Sequence, residues 1–252
     1  MRDRLSPPLV ESQQVSLAAS VGSAYLLQDV SFSVDRGDKL AIIGATGSGK
    51  TTLLRLLNRL NSPTTGTIYL EEKPLSQIPV IQLRQQVVLV PQEPKLLGMS
   101  VQETLAYPLT LQKLPTKEIY QRVETWRNAL RIPKEWLERN ELQLSLGQRQ
   151  LIAIARGLIM QPKVLLLDEP TSALDVGTAN YLLTILDRLT EDGHTTIIMV
   201  NHQLELIKNF ARRIIYLETG RVQEDLVASQ ANWQRLQEKL LQKEAKEAEE
   251  WL

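Results

Sequence analysis

Apolar residues in this chain fall mostly into short unbroken runs set between polar, glycine-bearing turns. Residues 39–43, 87–90, 163–167 and 195–200 are such runs, and each reads as a strand buried on both faces. Elsewhere the period lengthens. Residues 51–60, 148–160, 178–190 and 204–211 repeat their apolar positions as a helix face does. Strands apolar on both faces, alternating with such helices, predict an α/β fold with a parallel sheet covered by helices. Residues 14–17, 30–34 and 67–70 read as further short strands, and 214–217 with 221–223 as a hairpin about Gly220. Residues 1–12 read as a loose arm.

Two stretches depart from this alternation. Over residues 92–143, helical segments are broken by Pro94, Pro108, Pro115 and Pro133 and carry few β-branched residues. With the helix that follows, they read as a helical insertion spanning about residues 93–160. Residues 229–252 are rich in Gln, Lys and Glu, with Leu241, Ala245, Ala248 and Leu252 at helical spacing. That spacing predicts a charged amphipathic helix, solvated or partner-binding. The expected division is a main domain over 13–228 and this helix over 229–252.

Composition narrows the function. The chain has 252 residues, 43% hydrophobic and 23% charged, an ordinary globular balance. Its 29 basic residues equal its 29 acidic ones, so no broad basic footprint for nucleic acid is present. With no Cys and two His, thiolate metal sites and disulfides are excluded and a His-based metal site is disfavoured. The polar, proline-punctuated start gives no signal-peptide pattern. No run approaches the roughly 18 apolar residues of a membrane-spanning helix, so any membrane role is expected to run through a partner.

The first chemical motif is Gly44 Ala45 Thr46 Gly47 Ser48 Gly49 Lys50 Thr51, followed by Thr52. It matches G-x-x-x-x-G-K-[ST] and sits between a buried strand and a helix, where a phosphate cradle must be. Glycines let successive N–H groups turn inward, and the helix N-terminus adds its positive end. Lys50 is expected to reach the β and γ phosphates and the Thr51 hydroxyl to ligate Mg²⁺. This motif alone leaves kinases, GTPases and motors open. Asp168 and Glu169 end an apolar strand, at the edge where parallel sheets bind ligands. Asp168 is placed to hold Mg²⁺ through water and Glu169 to orient or deprotonate an attacking water. The alternative for such a pair is a solvated turn.

Leu144 Ser145 Leu146 Gly147 Gln148, opening the helix that continues Arg149 Gln150 Leu151, is similar to the Leu-Ser-Gly-Gly-Gln signature of ATP-binding cassette (ABC) proteins. From about residue 15 to 225 the chain resembles their nucleotide-binding domain. Leu146 replaces a signature glycine, and Leu151 stands where Arg is common. The resemblance implies a P-loop parallel-sheet core, an antiparallel β subdomain and a helical subdomain insertion. It also implies two chains packed head to tail around two ATP, with Ser145, Gly147 and Gln148 binding the nucleotide of the opposite chain. A Ser hydroxyl and Gly amide at a helix N-terminus suit an anion. Taken alone, Ser145 reads as an ordinary helix cap.

The same resemblance assigns Gln92 to Mg²⁺ and water, Asp175 of Ser172 Ala173 Leu174 Asp175 to the cross-dimer loop, and His202 to the γ-phosphate and Glu169. His194 has no such role. The adenine platform falls near Val21, with Tyr25 as the nearest aromatic. Leu96, Leu97 and Met99 are expected either to line a groove for a membrane subunit or to anchor their loop.

The implied protein is therefore an ATPase of ATP and Mg²⁺, on the inner face of the cell membrane. Its partners would be a second copy or a homologous cassette and an integral membrane permease, with no nucleic acid. Residues 83–98 and 108–112 resemble small ATPase subunits of metal or nucleotide-sugar exporters, and 57–60 those of phosphate importers. The competing classes are a cassette ATPase acting on DNA or ribosomes, and a small-molecule kinase.

Overall fold

Four consecutive apolar residues after Lys39 leave no face for water, so Lys39–Ile43 (β3) forms a central strand with every residue buried. Thr196–Val200 (β8) and Val164–Asp168 (β7), equally buried, continue the sheet on one side in parallel. Val87–Val90 (β6) closes that side, parallel to β7. On the other side lies Arg213–Glu218 (β9), parallel to β3, and Arg221–Val227 (β10) turns back antiparallel to it. The order is β10-β9-β3-β8-β7-β6. The computed structural model describes residues 7–20, 22 and 24–250.

A second, antiparallel sheet has the order β2-β1-β4-β5, from Val10–Ala18 (β1), Tyr25–Val34 (β2), Thr65–Leu70 (β4) and Lys73–Pro74 (β5). Its inner face packs on one side of the parallel sheet around helix Lys50–Leu57 (α1), whose Leu53, Leu54, Leu56 and Leu57 are all buried. The strand begins at Val10, inside the stretch expected to be a loose arm: Val10 and Ser12 are buried, and Ser12 donates to the Val30 carbonyl at 2.8 Å. Helix Val80–Gln86 (α2) had no clear apolar period and buries only Leu83.

The opposite face of the parallel sheet is covered by Val101–Leu111 (α3), Thr116–Ala129 (α4), Leu146–Ile159 (α5) and Val176–Glu191 (α6). Pro115 and Pro133 precede helices as expected, but Pro108 lies within α3 instead of breaking it. The helix has only three residues left beyond Pro108, so one missing N–H is a small loss, and a capping box at Ser100 and Glu103 secures its start.

Leu204–Phe210 (α7) and Trp233–Glu250 (α8) pack over β3 and β9, on Ala41, Ile43, Ile214 and Tyr216. The tail helix is docked through Leu236 and Leu240, while Leu241, from the expected apolar stripe, is 59% exposed. The face that packs is one position round from the one the spacing suggested, and Leu252 lies outside the described residues. Leu236→Ala is expected to cost about 2–4 kcal/mol and lower the unfolding midpoint by about 5–10 °C. Leu241→Ala should leave the midpoint in a thermal melt unchanged.

Candidate active site

Strand β3 ends at Ile43, and the chain turns through Gly44 to Gly49 before α1 begins. The turn admits only glycine at its first position: a Cβ on Gly44 would lie 2.2 Å from the Leu217 carbonyl oxygen on neighbouring β9. Gly49, the N-cap of α1, offers no side-chain cap, so the first amides of the helix remain for a ligand. The Lys50 ammonium is buried and donates to the Gly44 and Ala45 carbonyls at 2.8 and 2.7 Å, with the Ser48 hydroxyl at 3.5 Å. A cation and a helix N-terminus thus share one loop, which suits an anion.

Facing the loop is a cavity of 540 Å³ lined by Thr46, Gly47, Gly49, Lys50, Thr51 and Thr52 on one side and Gln92, Glu169 and His202 on the other. The second group comes from the ends of three adjacent strands, β6, β7 and β8. Glu169 pairs its N–H with the Val200 carbonyl at 2.9 Å and takes a positive φ of 48°. Its carboxylate accepts from Gln92 Nε2 at 2.8 Å and lies 2.7 Å from His202 Nε2. Three residues far apart in the chain therefore meet on one carboxylate.

Asp168 sits deeper. Thr51 Oγ1 donates to its Oδ1 at 3.2 Å. Burial pushes the Asp168 carboxyl above its usual range, while the Thr51 hydrogen bond and the charges of Arg55 and Lys50 pull it down and Glu169 raises it further. A divalent cation beside Thr51 and Asp168 would offset that burial. The Thr51 hydroxyl, the Asp168 carboxylate and the Gln92 amide oxygen are hard oxygen donors that fit Mg²⁺. Among the described residues no group of three or more His, Asp or Glu could hold a metal alone, so such an ion would complete its shell from water and phosphate.

Ser145, Gly147, Gln148 and Asp175 do not line this cavity. Ser145 and Gln148 form a capping box at the start of α5, with Ser145 Oγ accepting from Gln148 N at 3.2 Å. Asp175 caps α6, accepting from Thr178 N at 2.9 Å. The two starts touch: a Cβ on Gly147 would come within 2.6 Å of the Ala173 carbonyl oxygen. They form a second polar surface, with Leu146 and Val176 exposed on it.

Tyr25 is 48% exposed, and Leu26 rather than Tyr25 lines the cavity. Val21 lies outside the described residues. Sequence reasoning also passed over Thr171, Asn201 and Gln203, which link the turns carrying Glu169 and His202. Their closeness to Glu169 and His202 in the chain was the only signal available. Leu96 is fully buried, with its N–H on Glu141 Oε2 at 3.1 Å, whereas Leu97 is 59% exposed. The anchoring reading holds for Leu96 and leaves Leu97 free. Arg156 Nη1 donates to the Lys95 carbonyl at 3.0 Å and ties this loop to α5.

A glycine loop and lysine heading a parallel sheet, with a carboxylate gripped at the same edge, is the construction of a phosphate-binding α/β protein. The model of the ABC transporter family matches residues 27–172, more than half of the sequence, and the chain belongs to that family. It is 36% identical over 207 residues to methionine import ATP-binding protein MetN 2 of a Bacillus cereus strain, covering 81% of this chain and 61% of that protein. To MetN of Cupriavidus metallidurans it is 37% identical over 207 residues, covering 81% and 60%. The chain thus spans about three fifths of the length of these relatives.

Among solved structures, a dimeric ATP-binding cassette in a post-hydrolysis state with ADP and Pi superposes with a TM-score of 0.81 at 28% identity, over 87% of this chain and 98% of that one. CbiO1 of Clostridium perfringens, part of the ABC transporter complex cbiONQ, gives 0.79 at 27% identity over 93% and 92%. The fold is that of an ABC ATPase.

Proposed function

We propose that this chain is the ATP-hydrolysing subunit of an ABC transporter. It works head to tail around two ATP with a second copy or a homologous cassette, and drives separate permease subunits from the cytoplasmic face of the membrane. The observation that carries the reading is Glu169, held between Gln92 and His202 across a cavity from Lys50 and Thr51. Lys50 and the loop amides from Gly44 to Thr52 bind the phosphates. Thr51, Asp168 and Gln92 would hold Mg²⁺, which would supply positive charge to neutralise the transferring phosphoryl group. Glu169 orients the attacking water and accepts its proton; Gln92 and His202 keep the carboxylate aimed. Ser145, Gly147, Gln148 and Asp175, outside this cavity, serve the nucleotide of the opposite copy.

No helix of the described residues is long and apolar enough to cross a membrane, which suits a subunit that borrows its membrane path. The relatives' names favour import over the exporter likeness of residues 83–98, and favour transport over a role on DNA or ribosomes. Exposed Leu97, five residues after Gln92 in the chain, is assigned to the permease contact. Leu97→Glu should reduce recovery of the permease in co-purification at least about tenfold, the loss of roughly 1.4 kcal/mol of contact. The reading as a whole is tested by purifying the tagged protein from detergent-solubilised membranes and assaying Mg²⁺-dependent ATP hydrolysis. Recovery of a polytopic membrane protein with EDTA-sensitive turnover supports it; ribosomes or DNA in its place refute it.

A further inference from the structure

Two turns must keep their spacing for Glu169 to meet His202. One follows β7, the other β8. Backbone pairing of these strands ends with Asp168 opposite Val200 and the Glu169 N–H on the Val200 carbonyl. Beyond that point the structure supplies a closed ring of three hydrogen bonds. The Gln203 N–H donates to Asn201 Oδ1 at 2.9 Å, Asn201 Nδ2 donates to Thr171 Oγ1 at 2.7 Å, and the Thr171 hydroxyl donates to Gln203 Oε1 at 3.1 Å. Each bond fixes the next. With Oδ1 taken by the amide, Asn201 presents only its NH₂ to Thr171, and the Thr171 proton is then directed to Gln203.

Thr171 is 0% and Asn201 4% exposed, so water does not replace a lost partner cheaply. The ring spans the two residues flanking His202 and the residue two beyond Glu169. It therefore bears on the Glu169–His202 distance, which the β7–β8 strand ladder no longer controls.

We propose that Thr171, Asn201 and Gln203 act as a clasp of positioning residues that sets the Glu169–His202 contact. The assignment of those two as catalytic rests on the ATPase reading above. A pure packing role for Thr171 would be satisfied by any side chain of its shape. A clasp requires the hydroxyl.

The test compares Thr171→Val, which keeps the shape, with Thr171→Ser, which keeps the hydroxyl. The chain has two histidines, so His202 is read directly from imidazole proton–carbon correlation spectra with His194 as internal reference. Thr171→Val should move the His202 resonances and leave those of His194. It should also lower kcat for ATP about 10- to 100-fold, the cost of a displaced reacting group. KM should change far less than kcat, within about twofold, since Lys50, Thr51 and the loop amides are untouched. Thr171→Ser should restore both readouts. An unmoved His202 signal in Thr171→Val, or a Thr171→Ser variant indistinguishable from it, overturns the clasp. If Thr171→Val does not fold, Gln203→Met at an exposed position removes the last bond of the ring, and an unmoved His202 signal there overturns it equally. Absence of ATP hydrolysis in the unaltered protein would refute the ATPase reading alone, because the spectra still decide the clasp.

Discussion

Glu169→Gln is expected to lower ATP turnover by about 10²–10⁴ while strengthening association of two copies in ATP. The substitution keeps the shape of the side chain and leaves Lys50, Thr51 and the loop amides as they are. It removes the capacity to take a proton from water. The carboxylate between Gln92 Nε2 and His202 Nε2 becomes an amide with one acceptor and one donor end, so one of those two partners must turn from donor to acceptor to keep its contact. ATP then binds and persists, and the state it stabilises accumulates, because the population shift is undone only by loss of the γ-phosphate. Light scattering after size-exclusion chromatography checks this, with a dimer expected in ATP and a monomer in ADP. Wild-type turnover in Glu169→Gln would place the proton acceptor elsewhere. A monomer in ATP would refute the head-to-tail arrangement.

The parts of this molecule legible in the sequence are those whose physics is local. Continuous apolar runs marked β3, β7 and β8 because a strand covered on both faces has no polar side. The loop Gly44 to Thr51 was legible because its strand, glycines and lysine are contiguous. Convergence of Gln92, Glu169 and His202 is a different matter, since it depends on β6, β7 and β8 lying side by side in the sheet. Nothing in the spacing of the three motifs encodes that order; only the family resemblance anticipated it. Burial at single positions was also hidden: Leu96 and Leu97 are neighbours of equal hydrophobicity, and the chain buries one and exposes the other. The tail helix shows the same limit, for Leu240 and Leu241 are adjacent and the docking partner, not the spacing, chooses between them. Thr171, Asn201 and Gln203 left no mark because single polar residues of these types are common in turns, and their role exists only in the hydrogen bonds between two turns.

Lys50→Ala is expected to lose about 10²–10³ in turnover and to do so by weakening nucleotide binding, which separates it from Glu169→Gln. In the structure the Lys50 ammonium rests on the Gly44 and Ala45 carbonyls inside the glycine loop. Removing it leaves two carbonyl oxygens beside the place assigned to phosphate, so an anion would meet partial negative charge where a cation stood. Arginine is no rescue: its planar, longer head does not fit a loop built around a point charge, and Lys50→Arg should fail nearly as badly. The decisive comparison is the double variant. If Glu169→Gln dimerises because ATP is held but not cleaved, then Lys50→Ala combined with it must remain a monomer in ATP, since the ligand that completes the interface is no longer retained. Titration with a fluorescent ATP analogue measures the binding loss directly, and a thermal melt confirms that the variant is folded. A double variant that still dimerises in ATP would show that the loop lysine is dispensable for holding nucleotide, and would move the anchoring of the phosphates to the backbone amides of α1 alone.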